Sequence, residues 1–128
     1  MAAAGRRPAR AAAGAAAEEA AADALRRAGW RVLLRNARTP EGEIDVVAER
    51  RGRIAFVEVK ARRPGGSAGS PEEALTPQKL ARVARAAEHV LRTRGLSGAP
   101  REFLGAAVDL DADGVPGEVR LIPVEEIR

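Results

Sequence analysis

The sequence has no cysteine and a single histidine. Without cysteine, disulfide bonds and thiolate zinc sites are excluded, and one histidine is too few for a histidine-based metal site. Any metal ion held by this chain must therefore be bound by oxygen atoms. Oxygen ligands are the ones that Mg²⁺ and Mn²⁺ prefer.

Aromatic residues make up only 2% of the chain. The core must therefore take its volume from leucine, valine and isoleucine, together with Trp30, Phe56 and Phe103. The chain also lacks a run of about 18 apolar residues, the length that a membrane-spanning helix needs. Its N-terminus lacks the bulky apolar stretch of a secretory signal. We expect a cytoplasmic protein with no membrane partner.

Charged residues are abundant, and 22 Lys and Arg against 18 Asp and Glu give a net charge of +4. A basic excess favours a polyanionic partner such as nucleic acid, but an arginine-rich composition also follows from a GC-rich genome. A chain of 128 residues suits one domain. We expect residues 1–14 to form a disordered basic tail and residues 15–128 to form a single domain.

Apolar periodicity and turn residues predict the order α-β-β-β-α-β-β. The first helix is predicted over Ala15–Ala28, and the second is predicted to begin at Thr76 and Pro77, residues typical of a helix cap and first turn. The predicted strands are Trp30–Arg35, Glu43–Ala48, Ile54–Lys60, Phe103–Leu110 and Glu118–Ile122. The apolar face of the second helix is predicted at Leu80, Val83, Ala84, Ala87, Val90 and Leu91. This pattern indicates an α/β fold with a mixed central sheet flanked by helices.

Acidic residues interrupt two of these apolar strands. Asp45 lies inside one strand, and Glu58 lies thirteen positions later in the next, with Lys60 two residues beyond it. A hairpin turn near Arg50–Gly52 brings Asp45 and Glu58 within a residue or two of each other, about 5 Å apart at Cβ. Carboxylates this close repel each other unless a cation binds them. The pattern predicts a divalent-metal site with Lys60 beside the water that attacks a substrate phosphate. The alternative is that these charges protect an edge strand from aggregation.

Asp45 followed by Glu58-Val59-Lys60 resembles the active-site pattern of the PD-(D/E)XK nuclease superfamily. The wider sequence resembles a bacterial branch of that superfamily, the YraN-like family, over roughly Glu18 to Leu110. The residues that carry this resemblance occur in the same order along the chain: Glu18, Ala22, Leu25, Gly29, Arg35, Asn36, Arg38, Gly42 to Asp45, Phe56 to Lys60, Arg62, Gly69, Pro71, Glu73, Ala74, Thr76 and Lys79.

The resemblance implies a restriction-endonuclease-like αβββαβ core. It also implies that Mg²⁺ or Mn²⁺ is held by Asp45, Glu58 and the main-chain carbonyl of Val59, with Lys60 next to the nucleophilic water. Glu18 resembles the extra acid that resolvase-like members bring from their first helix. An acid placed near a helix N-terminus by the helix dipole is the alternative for Glu18.

Nucleic-acid contacts are expected just after the hairpin and at the second helix, from Arg62, Arg63, Gln78, Lys79, Arg82 and Arg85. A solvated basic face is the alternative for the arginines of that helix. The expected function is Mg²⁺-dependent hydrolysis of phosphodiester bonds in nucleic acid. The leading substrate is DNA, including branched or structured DNA. The alternative is a catalytically silent nucleic-acid-binding module of the same fold. A monomer and a homodimer both fit the sequence.

Overall fold

A computed structural model describes residues 9–64 and 76–124. Its elements, in chain order, are helix α1 (Ala9–Arg27), strands β1 (Arg31–Thr39), β2 (Gly42–Arg50) and β3 (Arg53–Arg62), helix α2 (Pro77–Thr93), and strands β4 (Arg101–Leu110) and β5 (Pro116–Pro123). The predicted order of helices and strands is confirmed.

The strands form one five-stranded sheet in the order β1-β2-β3-β4-β5. Neighbouring strands are antiparallel except for β3 and β4, which are parallel. A parallel pair needs a crossover connection, and α2 supplies it between β3 and β4. The result is a mixed sheet with a helix on each face. This is the α/β architecture expected from the sequence, consistent with a restriction-endonuclease-like αβββαβ core.

Small side chains let the two helices pack closely on the sheet. The cluster under α1 is rich in alanine and valine and includes Ala17, Ala21, Leu25, Val46, Val57, Ala106 and Val108. The cluster under α2 includes Ile44, Val47, Ile54, Phe56, Ala86, Ala87, Val90 and Leu91. Phe56 and Phe103 stack in a tilted arrangement with ring centroids 5.7 Å apart. Phe56 and Phe103 therefore add volume to the α2 layer, whereas Trp30 and closely packed alanines fill the α1 layer.

Helix α1 begins at Ala9, earlier than the predicted Ala15. Alanine is the strongest helix former, so the run at 11–13 extends the helix across Gly14 despite the cost of a glycine inside it. Residues 1–8 lie outside the described part of the chain, so the predicted tail and the domain boundary after it stay predictions.

All five strands are longer than predicted, and β1 and β3 show why. β1 continues to Thr39 rather than ending at Arg35. It can do so because Asn36 adopts a left-handed backbone, with φ of 53°, while pairing resumes at the next residue. β3 extends to Arg62 because its parallel pairing with β4 continues that far.

The buried face of α2 differs from the prediction at one position. Ala84 is exposed, whereas Ala86 is buried together with Val90 and Leu91. Alanines at both 84 and 86 give no difference in side-chain volume, so the larger Val90 and Leu91 decide how the helix is rotated on the sheet.

Leu25 is the largest side chain that α1 buries, with 0% exposure. Its replacement in Leu25→Ala removes buried methyl groups and leaves a cavity between α1 and the sheet. We expect a loss of about 3 kcal/mol in the free energy of unfolding, measured by denaturant titration. The matched control is Val115→Ala, at a residue that is 55% exposed, for which a change within about 0.5 kcal/mol is expected. Equal losses in the two variants would contradict this account of the α1 layer.

Candidate active site

Strands β2 and β3 separate where the predicted acids lie. Their pairing runs from Arg50↔Arg53 to Val46↔Val57, and one further step of the same register places Asp45 opposite Glu58. There the Val59 N–H donates a hydrogen bond to the Asp45 side chain, at 2.8 Å from Oδ2. A side-chain carboxylate thus accepts the main-chain N–H at the point where the strands part.

The surroundings of Asp45 disfavour its negative charge. The pKa of Asp45 is raised to about 6, chiefly because burial removes water from the carboxylate. The hydrogen bond from Val59 acts in the opposite direction. The nearby charges of Glu58, Glu18 and Glu43, in that order of strength, raise the pKa further. Three carboxylates from α1, β2 and β3 therefore act on Asp45, and we call Asp45, Glu58, Glu18 and Glu43 together the acidic group.

Glu58 has a cationic partner from α2. The Nζ atom of Lys79 lies 3.3 Å from Oε2 of Glu58, and both side chains are about two-thirds or more buried, with 35% and 23% exposure. The start of α2 is fixed by Thr76, whose Oγ1 accepts a hydrogen bond from the Lys79 N–H at 3.1 Å. The sequence predicted that Lys79 contacts a phosphate of nucleic acid, whereas the structure places its ammonium against the carboxylate of Glu58.

Lys60 is half-buried on β3, two residues after Glu58. Strand alternation directs residues at this spacing to the same face of the sheet. Among the ion pairs between described residues, none includes Lys60. The predicted trio of Asp45, Glu58 and Lys60 thus occupies adjacent positions where β2 parts from β3.

Glu18 and Glu43 complete the acidic surroundings. Glu18 is half-buried on α1, whereas Glu43 is exposed at the start of β2 and pairs with Arg38 at 3.9 Å. Across residues 9–64 and 76–124, no three acidic or histidine side chains converge closely enough to form a complete metal site. The chemistry of the donors nevertheless fits a hard divalent cation, because a bound positive charge would favour the ionised form of Asp45 against the desolvation and the nearby negative charges that raise its pKa.

The basic residues of α2 border this region. Arg82 is exposed, and the stem of its side chain lies over Gly42, where a Cβ atom would be 3.6 Å from Arg82 Cδ. Arg85 donates from Nε to Oε1 of Glu41 at 3.0 Å. Gln78 is exposed in the first turn of the helix. The predicted basic face therefore lies beside the β1–β2 turn, next to the acidic group.

The two arginines that follow Lys60 differ from each other. Arg62 is part of β3, and its Nε lies 4.0 Å from Oδ1 of Asp109 on the neighbouring strand. Arg63 is exposed directly after β3. The family-like residues of the loop that follows, at 69–74, lie outside the described residues.

Asn36 is a residue to which sequence analysis gave no role at the site. It occupies the β1 position between the pairs Arg35↔Val46 and Ala37↔Ile44, which places it opposite Asp45. Its φ of 53° is left-handed. An asparagine inside an apolar strand pattern is the signal that could have identified it, because asparagine adopts this conformation more readily than most residues.

Comparison with known proteins places the chain in a family. The family model described as "Uncharacterised protein family UPF0102" matches residues 17–111. The chain belongs to this family. It is the YraN-like family that the sequence resembles, and its match runs from the middle of α1 to just past the end of β4.

Relatives from several bacteria are similar over most of the chain. A UPF0102 protein of Desulfosudis oleivorans is 44% identical over 86 residues, which cover 67% of this chain and 69% of the relative. One from Symbiobacterium thermophilum is 43% identical over 101 residues, covering 79% and 85% respectively. One from Syntrophotalea carbinolica is 48% identical over 79 residues, covering 62% and 63%. The names of these relatives state that they belong to UPF0102 and mention no activity.

Neither α1 nor α2, the helices of the described part of the chain, is long and apolar enough to cross a lipid bilayer.

The raised pKa of Asp45 predicts a pH-dependent stability. Its folded pKa of about 6 exceeds the ordinary aspartate pKa of 3.8, so the folded state loses stability as pH rises from about 4 through about 6. The Asp45→Asn variant lacks this loss and keeps an oxygen for the Val59 N–H. Without divalent metal, we expect it to exceed the native chain at about pH 8 by on the order of 1 kcal/mol, discounted for solvent screening. The advantage should vanish at about pH 3.5.

Thermal unfolding of both proteins across this pH range measures the difference. Asp109→Asn is the control, because Asp109 lies on β4 and pairs with Arg62 outside the acidic group. A stability difference between Asp45→Asn and the native chain that stays constant across the range would contradict the assigned pKa.

Proposed function

We propose that this protein is a Mg²⁺-dependent nuclease that hydrolyses phosphodiester bonds of nucleic acid, in first place branched or structured DNA. The observation that supports this most directly is the position of Asp45. Its carboxylate is partly buried where β2 parts from β3, it accepts a hydrogen bond from the Val59 N–H, and the nearby negative charge of Glu58 contributes to its raised pKa. A carboxylate kept in a place that disfavours its charge is typical of functional sites.

Asp45 and Glu58 are the residues proposed to hold the ion, with the main-chain carbonyl of Val59 as a further oxygen and Glu18 as an outer acid. A bound divalent ion supplies charge to a phosphoryl oxygen and lowers the pKa of a coordinated water. Both acids must be ionised to bind the ion. We therefore expect the affinity for the ion to increase as pH rises through the Asp45 pKa of about 6.

The remaining side chains have positioning and electrostatic roles. Lys60 lies two residues from Glu58 and is proposed to orient the attacking water and to offset negative charge on the phosphate. Lys79 holds the Glu58 carboxylate in place from α2. Arg82, exposed beside the β1–β2 turn, is proposed to contact a backbone phosphate of the substrate.

Cleavage assays test the proposed activity. The full chain is incubated with branched, flapped and single-stranded DNA in the presence of Mg²⁺ or Mn²⁺. We expect strand cleavage by the native protein. The cleavage rate should fall by about 100-fold or more in Glu58→Gln and in Lys60→Ala, because each substitution removes a charge needed at the reacting phosphate. Product bands on denaturing gels give the rates.

The control for contamination is the double variant Asp45→Ala/Lys60→Ala, purified in the same way. Cleavage that persists in this variant belongs to another enzyme and would sink the nuclease assignment. Circular dichroism of each variant checks that the loss of cleavage is not a loss of fold.

One observation favours a second candidate function, a catalytically silent nucleic-acid-binding module. The ammonium of Lys79 already neutralises Glu58 at 3.3 Å, so the acidic group has a permanent counter-charge from the protein itself. In that case DNA binding is insensitive to Mg²⁺ and to Glu58→Gln, and it depends on the basic face of α2.

Both candidates require DNA binding through α2, and Arg82 tests it. Arg82→Ala should weaken binding about uniformly across DNA sequences and reduce the slope of log K against log salt by about 1, because one phosphate contact is lost. Fluorescence anisotropy with labelled duplex at several salt concentrations gives both quantities. Arg51→Asn, at the opposite end of the β2–β3 hairpin, is the charge-matched control and should leave the slope unchanged. An equal effect of the two substitutions would show that general basicity, not α2, binds the DNA.

A further inference from the structure

The faces that β1 and β2 present to the two helices reverse together at one pair of residues. On the N-terminal side of that pair in β1, Leu34 packs in the α2 cluster opposite Val47. On the other side, Ala37 packs in the same α2 cluster opposite Ile44. Residues three apart lie on opposite faces of a regular strand, so alternation must reverse between them in both strands.

The residues between confirm where the reversal occurs. Arg35 donates a hydrogen bond to Glu19 on α1, with its Nη1 atom 3.1 Å from Oε1. Its strand partner Val46 packs in the α1 cluster. Alternation is therefore regular from Leu34↔Val47 to Arg35↔Val46 and is shifted by the pair Ala37↔Ile44. Only the Asn36 and Asp45 positions lie between the last two of these pairs. An earlier register shift, between Val32 and Leu34, adds a residue to β1 alone and leaves the alternation of β2 unchanged there.

The backbone of Asn36 explains the reversal. Within the described residues, Asn36 and Arg51 are the two non-glycine residues with positive φ, each at 53°, and Arg51 lies in the β2–β3 turn. A single left-handed residue inside a strand bends it and redirects the side chains that follow, as in a β-bulge. An extended Asn36 would keep strict alternation and would turn Ala37 toward α1, away from the cluster in which it packs.

We infer that Asn36 is a positioning residue whose left-handed backbone turns the β1–β2 pair so that Asp45 reaches the Val59 N–H. Asp45 lies directly across from Asn36, at the pair where alternation reverses in both strands, and its Oδ2 is 2.8 Å from the Val59 nitrogen. This assignment deepens the proposed function, because Asp45 and the Val59 main chain are the groups proposed there to hold the ion.

The role belongs to the backbone of Asn36 rather than to its side chain. Asn36 is exposed, and its carboxamide makes no hydrogen bond to another residue of the described part of the chain. Glycine adopts positive φ freely, asparagine does so readily, and a β-branched residue there is a severe outlier. The order of tolerance at this position should therefore be glycine and asparagine above alanine, and alanine above valine.

Hydrogen exchange of the Val59 amide in the metal-free full chain tests the assignment. We expect Asn36→Gly to keep the protection of this amide and Asn36→Val to reduce it by about tenfold, relative to the amides of the Val46↔Val57 ladder. Asn36→Ala is the milder variant and should give an intermediate loss if Asn36→Val does not fold. Amide exchange followed by NMR resolves the individual positions.

Arg51→Val is the matched control, because it forces the same change of residue type at the same φ in a turn away from Asp45. It should lower global stability and leave the relative protection of the Val59 amide unchanged. Loss of that protection in Asn36→Gly, or full protection in Asn36→Val, would overturn the assignment.

A second readout separates this inference from the proposed nuclease. Addition of Mg²⁺ or Mn²⁺ should raise the Tm of the native chain and of Asn36→Gly, and should not raise the Tm of Asn36→Val. If divalent ions fail to raise the Tm of the native chain, the proposed metal site fails while the Val59 exchange result still decides the role of Asn36. If ions raise the Tm of Asn36→Val as much as that of the native chain, the positioning role is wrong.

Discussion

The hydrogen bond from the Val59 N–H to the Asp45 carboxylate fixes where β2 and β3 stop pairing. A strand in the middle of a sheet must satisfy its main-chain N–H groups, and here a side chain takes over from the main chain of the neighbouring strand. Because the Asp45 carboxylate replaces a main-chain acceptor, β2 and β3 can separate here while the Val59 N–H keeps a hydrogen-bond partner. The same hydrogen bond also holds this carboxylate in surroundings that disfavour its charge, which is the physical basis of the acidic group.

The acidic group depends on both helical layers of the fold. α1 supplies Glu18 from one face of the sheet, and α2 supplies Lys79 to Glu58 through the first turn that Thr76 caps. The sheet between them provides Asp45 and Glu58 from adjacent strands. Because these groups come from four separate segments, their charges meet only in the folded chain, and the folded state bears the cost of keeping them close.

The sequence predicted the parts of this arrangement that local chemistry determines. Asp45 and Glu58 stood out because acids are rare inside apolar strands, and Thr76-Pro77 predicted the start of α2 through its cap and first-turn chemistry. A two-strand hairpin then fixed the pairing of the two acids to within a residue. Apolar periodicity and turn residues predicted the order of all seven elements, and the resemblance to the YraN-like family implied the αβββαβ core within that order.

What the sequence did not predict depends on tertiary contacts. The ion pair of Lys79 with Glu58 follows from how α2 crosses the sheet, and nothing in the pattern around position 79 indicates that direction. The continuation of β1 past Asn36 was missed because asparagine is also a common turn residue. The rotation of α2 that buries Ala86 instead of Ala84 was decided by packing among residues of equal size.

The left-handed residue of β1 also affects the outer margin of the sheet. β1 is a terminal strand of the sheet order, and a terminal strand can recruit an extended chain from another molecule. The bend at Asn36 interrupts the straight row of main-chain groups that such a chain would need, and exposed Arg31 and Arg38 add positive charge on either side. At the opposite margin, β5 begins and ends with the prolines Pro116 and Pro123, which have no N–H to donate. Both margins therefore resist growth of the sheet into a larger aggregate.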